Sequence, residues 1–472
     1  MYASVAQWIE QRPPKSLVGR SIRLRCTIIK HHFLDAFFRL FFKGDNFMKT
    51  SKFNIFTEYN GKRFVSNTLS KSLISIDDLH YDILSKGKTE RFNEIQEDIP
   101  VLKENGIVVE DKLDEIGSLR IAYQKSKNST NEIEFVVAPT MSCNFKCVYC
   151  FETQRKGKMT EKIQNKVDLF IKNKIDELKP NKVRFIWFGG EPLLCVDIVE
   201  KMSKSISDFI KSKGIELEMI IITNGYFATL DNITRLVSAG VNHFQITIDG
   251  SKESHDKRRV LHNGNGTYDI IYNNLKNFKG IDVSVGIRVN IDKNNIGEFK
   301  IVKDEIAKLN NAKIKCHPAL VEPAQIHDSN RRNLCFRNEA NDYYNSKDIL
   351  EYYSEKKLRN LGVQLCYCGA EHNNSFAIDE KGNLYKCWNC MGYDDAILSK
   401  IDEPEKLNET VASVYLGRDP FTEEDCKDCP YIPICGGGCV EQKNVNGHNT
   451  CCENRYLYDK IIKKEIDNMN RY

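Results

Sequence analysis

Three cysteines stand in one short segment, Cys143-Asn144-Phe145-Lys146-Cys147-Val148-Tyr149-Cys150. Three thiolates from a single loop can hold three irons of a cubane cluster and leave the fourth iron open. Four-iron clusters ordinarily take four cysteines, so a triplet with no obvious fourth partner points to an iron reserved for a small ligand. Structural zinc sites favour paired Cys-x-x-Cys knuckles, and this uneven spacing fits them poorly. A second constellation lies near the C-terminus: Cys426-x-x-Cys429, then five residues to Cys435 and three to Cys439. Upstream, Cys368 is followed after thirteen residues by Gly382 and after four more by Cys387; downstream stand Cys451 and Cys452. The chain has 17 cysteines and no secretion signal, so metal or redox chemistry explains them better than disulfides do. Cys195, Cys316 and Cys335 read as structural or incidental, because free cysteine is often simply buried. His317 reads as a packed or exposed histidine.

The elements that position these residues alternate. IEFVVAPT, VRFIWF, LEMIIIT, HFQITI, VSVGIRVNI and AKIKCHPAL are near-continuous apolar runs, as expected of strands buried on both faces. Helical patterns such as EKIQNKVDLFIKNKIDEL and VDIVEKMSKSISDFIKSK lie between them. The alternation predicts an α/β fold with a parallel sheet, a full or partial barrel, over residues 131–330. Such folds carry their chemistry at the C-terminal ends of the strands. Before it, residues 48–130 hold three strand-like runs, an Asn60-Gly61 turn and a helix pair, which predict a winged-helix-like module ending in the linker SKNSTNE. After it, residues 331–472 lose the alternation and read as a loop-rich domain cross-linked by metal, closed by the helix RYLYDKIIKKEIDNM.

Composition bounds the rest. The chain has 472 residues, 41% hydrophobic and 28% charged, enough for two or three domains with a buried core. No stretch offers the ~18 consecutive apolar residues of a membrane span, so a cytosolic enzyme with no membrane partner is expected. Residues 1–47 read differently, lacking both periodicity and the clean apolar stretch of a signal peptide. That opening resembles the translation of a transfer-RNA gene, and Met48 looks like a natural start; a disordered or amphipathic tail is the second reading. The segment before Met48 holds eight basic and three acidic residues, which leaves 61 basic against 62 acidic after it. The formal +4 therefore gives no reason to expect nucleic acid as a partner.

Cys-x-x-x-Cys-x-x-aromatic-Cys after the first buried strand resembles the signature of the radical S-adenosylmethionine (SAM) superfamily. Four further motifs agree, each at the end of an expected strand: Trp187-Phe188-Gly189-Gly190-Glu191-Pro192, Thr223-Asn224-Gly225, Thr247-Ile248-Asp249-Gly250 and Arg288-Val289-Asn290. His255-Asp256-Lys257-Arg258-Arg259 follows the third of them, as in relatives. The resemblance covers roughly residues 133–460. It implies a 4Fe–4S cluster on Cys143, Cys147 and Cys150 that binds SAM, with Gly189, Gly190 and Glu191 receiving its amino group. Thr247 would donate to its carboxylate, and Arg288 would complete the SAM site. The implied chemistry is reductive cleavage of SAM to a 5′-deoxyadenosyl radical that removes a hydrogen atom from the substrate, while the barrel orients the cofactor and excludes water.

The C-terminal cysteines resemble the SPASM domain of peptide-modifying members. Family wiring implies one auxiliary 4Fe–4S cluster on Cys368, Cys387 and Cys439. A second would take Cys426, Cys429, Cys435 and either Cys451 or Cys452. Two departures stand out. Cys366 lies closer to Cys368 than an upstream ligand should, and Cys390 is an extra thiol, so the first auxiliary cluster is either fully ligated or has an open iron. The module at 48–130 resembles leader-recognition elements of maturases for ribosomally made peptides (RiPPs), which bind leaders by strand addition. The leading expectation is a peptide maturase that forms a thioether or related crosslink on a precursor peptide, with a flavodoxin- or ferredoxin-like electron donor. The alternatives are an anaerobic sulfatase-maturating enzyme, which usually lacks such a front module, a redox-sensing DNA-binding regulator, against which the absence of a basic stripe argues, and a metal-binding structural protein.

Overall fold

The computed structural model describes residues 47–321, 340–353, 357–447 and 450–469; Cys335 and residues 1–46 of the N-terminal segment lie outside them. The chain parts between Leu113 and Asp114 into two compact units.

In the first unit, β1 (Met48–Thr50) pairs antiparallel with β5 (Val108–Glu110). Strands β2 (Asn54–Tyr59), β3 (Lys62–Asn67) and β4 (Leu73–Ile76) form an antiparallel sheet in that order. Asn60 and Gly61 both take left-handed backbone, φ 52° and 70°, as a two-residue hairpin turn requires. Helix α1 (Asp78–Ser85) begins at Asp77, whose side chain accepts from His80 N. The next stretch divides into a 3-10 turn (Thr89–Ile95), helix α2 (Ile99–Glu104) and β5. Val65, Ile74, Ile83, Leu84, Leu102 and Ile107 form the core of this unit.

The second unit starts earlier than the linker read at 126–132. Helix α3 (Glu115–Lys127) belongs to it: Lys127 Nζ donates to the carbonyls of Leu416 at 2.6 Å and Arg418 at 2.9 Å. Polar as α3 is in sequence, its attachment comes from contacts nearly three hundred residues away in the chain.

The apolar runs become β6 (Glu132–Val137), β7 (Lys182–Trp187), β8 (Glu216–Thr223), β9 (His243–Thr247), β10 (Ser284–Ile291) and β11 (Ile314–Leu320), parallel and in chain order. Helices α4 (Glu161–Leu178), α5 (Val196–Ser212), α6 (Leu230–Ser238), α7 (Lys252–Arg258), α8 (Tyr268–Leu275) and α9 (Phe299–Ala307) fall between them. Thr160, Thr229 and Ser251 cap α4, α6 and α7 with side-chain oxygens that accept backbone N–H groups, which fixes where each helix starts. One face of the sheet is apolar: Val137, Trp187, Ile221, Phe244, Ile287 and Val289 are fully buried. Trp187 Nε1 donates to Ser203 Oγ on α5 at 2.8 Å, so that face is the helix-covered one and its indole is satisfied.

The cysteine-rich region is less irregular than its sequence suggests. Strand β12 (Ser375–Ile378) pairs parallel with β6, and β13 (Asn383–Tyr385) and β14 (Ser399–Lys400) continue the same sheet antiparallel. The closing helix, α10, runs Glu453–Met469. No helix among the described residues is long and apolar enough to cross a membrane.

Candidate active site

Each barrel motif sits beyond the C-terminal end of a parallel strand or on its last residues, so all open towards one mouth. The cysteine loop follows β6 and is tied down from several sides. Lys146 N donates to Val260 O at 2.8 Å, Val148 N to Arg258 O at 3.0 Å, and Thr140 Oγ1 to Gly157 O at 2.5 Å. Phe145 is fully buried, edge-on to Tyr226 with ring centres 5.8 Å apart. Arg259 lies 5.6 Å over Phe145 and Arg258 lies 5.1 Å over Tyr149. The Tyr149 hydroxyl accepts from Arg259 Nη1 at 2.6 Å and from Asn290 Nδ2 at 3.1 Å. The two aromatic residues of the segment are therefore its anchors, and the cysteines are spaced around them.

Cys143 Sγ accepts from Phe145 N at 3.4 Å and from Asn224 Nδ2 at 3.9 Å. Cys143 and Cys147 are half-buried and Cys150 is exposed, yet burial pushes all three thiols up, Cys150 to about 12. A thiol that touches solvent-sized space while packed protein desolvates it lines a recess. Two buried donors there, Asn144 Nδ2 and Arg259 Nε, have no protein partner. The Arg259 guanidinium acts on Cys147 against the effect of burial. Ligation to a metal deprotonates a thiol outright, so three desolvated thiols beside two cations and unpaired N–H donors fit an anionic, sulfur-ligated cluster. Among the described residues no three His, Cys, Asp or Glu side chains converge on one ion-sized point. Tetrahedral zinc would need its thiolates about 3.8 Å apart, whereas a cubane spreads its ligands around four irons.

Glu191 is 1% exposed and its carboxylate is fully engaged. Oε1 accepts from Thr223 Oγ1 at 2.6 Å and Leu193 N at 2.9 Å, and Oε2 accepts from Asn224 N at 2.7 Å. The side chain thus joins the ends of β7 and β8 and sets Asn224 beside Cys143. Gly189 and Gly190 lie against the cysteine loop itself. A Cβ on Gly190 would stand 2.7 Å from Met141 C, and one on Gly189, at φ +105°, 2.5 Å from Thr140 O. Backbone cannot yield as a side chain can, so Gly190→Ala is expected to displace the loop. The expected outcome is at least tenfold weaker SAM binding in equilibrium dialysis, a loss of about 1.4 kcal/mol, with the far-ultraviolet dichroism unchanged.

Thr247, Arg288 and His317 are in register across β9, β10 and β11. Arg288 Nε donates to Asn290 Oδ1 at 2.8 Å. His317 joins this row rather than standing apart; burial and the charge of Arg288 bring its pKa down to about 4. Cys316 shares the register of Ile287, on the helix-covered face, and Cys195 is buried at the start of α5.

Behind the mouth, Asp249 N donates to His255 Nδ1 at 3.2 Å, and His255 Nε2 lies 3.0 Å from Thr267 Oγ1, which donates to Arg259 O at 2.6 Å. The imidazole is neutral in this chain, and burial, with Arg259 and Arg258 adding to it, lowers its pKa to about 3. The folded pKa lies below the unfolded value, so the unfolded chain binds the extra proton. Stability is full above about pH 6.5 and falls as pH drops towards 3, by up to about 1.4 kcal/mol per unit. Urea midpoints between pH 7 and pH 5 should show this slope, and His255→Asn should flatten it.

The C-terminal thiols fall into two groups. Cys368, Cys387, Cys390 and Cys439 neighbour one another: Cys387 hydrogen-bonds Cys390, and the charge of Cys439 acts on both Cys387 and Cys368. Cys426, Cys429, Cys435, Cys451 and Cys452 form the other group. In it, Cys452 N donates to Cys435 Sγ at 3.4 Å, while the Cys452 thiol donates to Ile434 O at 3.3 Å. Cys451 faces both Cys435 and Cys429. Sequence reasoning did not single out Arg259, Tyr149 and Asn224 as site residues. The only signal was their position inside or beside the motifs.

An open parallel α/β sheet with a thiol triplet at its mouth defines an iron–sulfur enzyme of the barrel type. Residues 137–306 match the model of the Radical SAM superfamily, so this part of the chain is a radical SAM domain. It is 24% identical over 368 residues to the cysteine-type anaerobic sulfatase-maturating enzyme of Clostridium novyi (strain NT), across 70% of this chain and 96% of that one. Its fold is similar to that of anSMEcpe, solved with bound AdoMet, at TM-score 0.55, 16% identity, and 70% and 98% coverage of the two chains. It is also similar to that of Streptococcus suis SuiB, solved bound to the precursor peptide SuiA, at TM-score 0.50, 13% identity, and 84% and 97% coverage. The superfamily uses a 4Fe–4S cluster and SAM, and maturases of the SPASM type carry auxiliary clusters as well.

Proposed function

We propose that this maturase acts on a ribosomal precursor peptide and forms a thioether or related crosslink in it. The observation that carries this reading is the N-terminal unit. The likeness to SuiB extends over 84% of the chain against 70% for anSMEcpe, and the difference has about the size of residues 47–113. The three-stranded sheet β2–β3–β4 has β2 and β4 as outer strands, and an outer strand can take up an extended leader by backbone pairing.

In this reading Cys143, Cys147 and Cys150 hold the SAM-binding cluster, which supplies the 5′-deoxyadenosyl radical once SAM is bound. Glu191 fixes Asn224 and the loop, Gly189 and Gly190 would allow close approach of SAM, and Thr247 and Arg288 would hold its carboxylate. Cys368, Cys387 and Cys439 serve one auxiliary cluster and Cys426, Cys429 and Cys435 the other. Either Cys451 or Cys452 would be the last ligand: both hydrogen-bond Cys435, and Cys451 also neighbours Cys429. A flavodoxin- or ferredoxin-like protein donates the electron.

The sequence likeness to a cysteine-type sulfatase-maturating enzyme favours a second reading, oxidation of a cysteine to formylglycine. One experiment separates them. The anaerobically reconstituted protein is given SAM, reductant and either a cysteine-containing precursor encoded beside its gene or a sulfatase-derived peptide. Loss of two hydrogens with sulfur retained in the precursor supports the maturase; loss of sulfur from the sulfatase peptide alone replaces it with the second reading.

A further inference from the structure

We infer that Cys390 is the fourth protein ligand of the first auxiliary cluster, together with Cys368, Cys387 and Cys439, so that no iron of this cluster is open to a substrate thiolate. The inference rests on the auxiliary-cluster reading above. Cys387 and Cys390 bound one 3-10 turn, with Cys390 N donating to Cys387 O at 3.1 Å. Their thiols hydrogen-bond each other. Both are buried in one apolar group with Ala370 and Val440, which stand two residues after Cys368 and one after Cys439. Cys390 Sγ is 3.6 Å from the Tyr415 hydroxyl, which donates to Glu441 Oε2 at 2.5 Å and therefore accepts from the Cys390 S–H.

The competing upstream candidate faces elsewhere. Cys366 hydrogen-bonds Ser126 and has Glu371, Lys127 and Arg418 as its charged neighbours. Four protein thiolates saturate a four-iron cluster. This cluster can then exchange electrons with the substrate but cannot hold its sulfur, and the substrate cysteine must be oriented by protein contacts alone.

The test uses the full chain with Cys143, Cys147 and Cys150 replaced by alanine, which isolates the auxiliary clusters. Iron, sulfide and the electron paramagnetic resonance of the reduced protein are compared with those after adding Cys390→Ala, Cys390→Ser or Cys366→Ala. The background protein should hold about eight irons, with a spectrum that free L-cysteine does not alter. Cys390→Ala should lose about four irons or give a spectrum that now shifts with L-cysteine. Cys390→Ser should keep the iron with changed g-values, and Cys366→Ala should match the background. The inference is overturned if Cys390→Ala leaves iron and spectrum untouched, if Cys366→Ala removes iron, or if the background spectrum already responds to L-cysteine. A background protein without iron overturns it together with the auxiliary-cluster reading, while SAM cleavage by the unaltered protein would still stand.

Discussion

Alanine at Cys143, Cys147 and Cys150 together is expected to abolish 5′-deoxyadenosine formation, down to the level of the reductant blank. The triplet is the sole thiol set at the mouth of the barrel among the described residues, and the anchors around it, Phe145, Tyr149, Arg258 and Arg259, are not touched by the change. The variant should therefore fold, keep its auxiliary iron and lose about four irons per chain. Chromatography of the SAM reaction and iron analysis read the two outcomes independently. Continued SAM cleavage by this variant would move the radical chemistry away from the loop.

The second large effect is expected at Arg418, which lies far from the mouth in sequence. It pairs with Glu371, with side-chain exposures of 3% and 0%, and its Nη1 and Nη2 donate to Gly438 O at 2.7 Å and Gly437 O at 2.6 Å. Nε donates to Glu423 Oε1 at 3.0 Å. Gly436, Gly437 and Gly438 all have positive φ, 65°, 86° and 74°, so the turn between Cys435 and Cys439 has little conformational preference of its own. The guanidinium holds it. Arg418→Met leaves a buried carboxylate and two carbonyls without their donor, which should cost about 3–5 kcal/mol in urea unfolding. Auxiliary iron should fall with it. Arg418→Lys keeps the charge without the fork and should restore only part of either. Unchanged iron in the methionine variant would mean that the ligands organise the turn unaided.

Much of this was legible in the sequence, for local reasons. The six parallel strands are long apolar runs, and Thr160, Thr229, Asn60 and Gly61 mark helix starts and a hairpin by side-chain and backbone preferences that need no tertiary context. What was not legible depends on partners remote in the chain. Strands β12–β14 are two to four residues long and exist because Ser375–Ile378 pairs with Glu134–Val137. Helix α3 looked like the approach to a linker because its attachments, at Leu416 and Arg418, lie on the other side of the barrel in sequence. The motif residues were readable as a set, but not that Glu191 is spent on Thr223, Leu193 and Asn224, or that Tyr149 is the meeting point of Arg259 and Asn290. Nor could spacing alone decide between Cys366 and Cys390.

The ladder between β6 and β12 also has a consequence for electron flow. The cysteine loop leaves one end of β6, and Cys368 and Cys387 flank the strands laid alongside it, so with clusters at these cysteines, as proposed, main-chain hydrogen bonds and not a tether would set how far apart the redox centres stand. Tunnelling rates between them should be insensitive to viscosity and crowding. They should vanish in a single step when the sheet melts, because nothing in such an arrangement lets one centre drift from the other first.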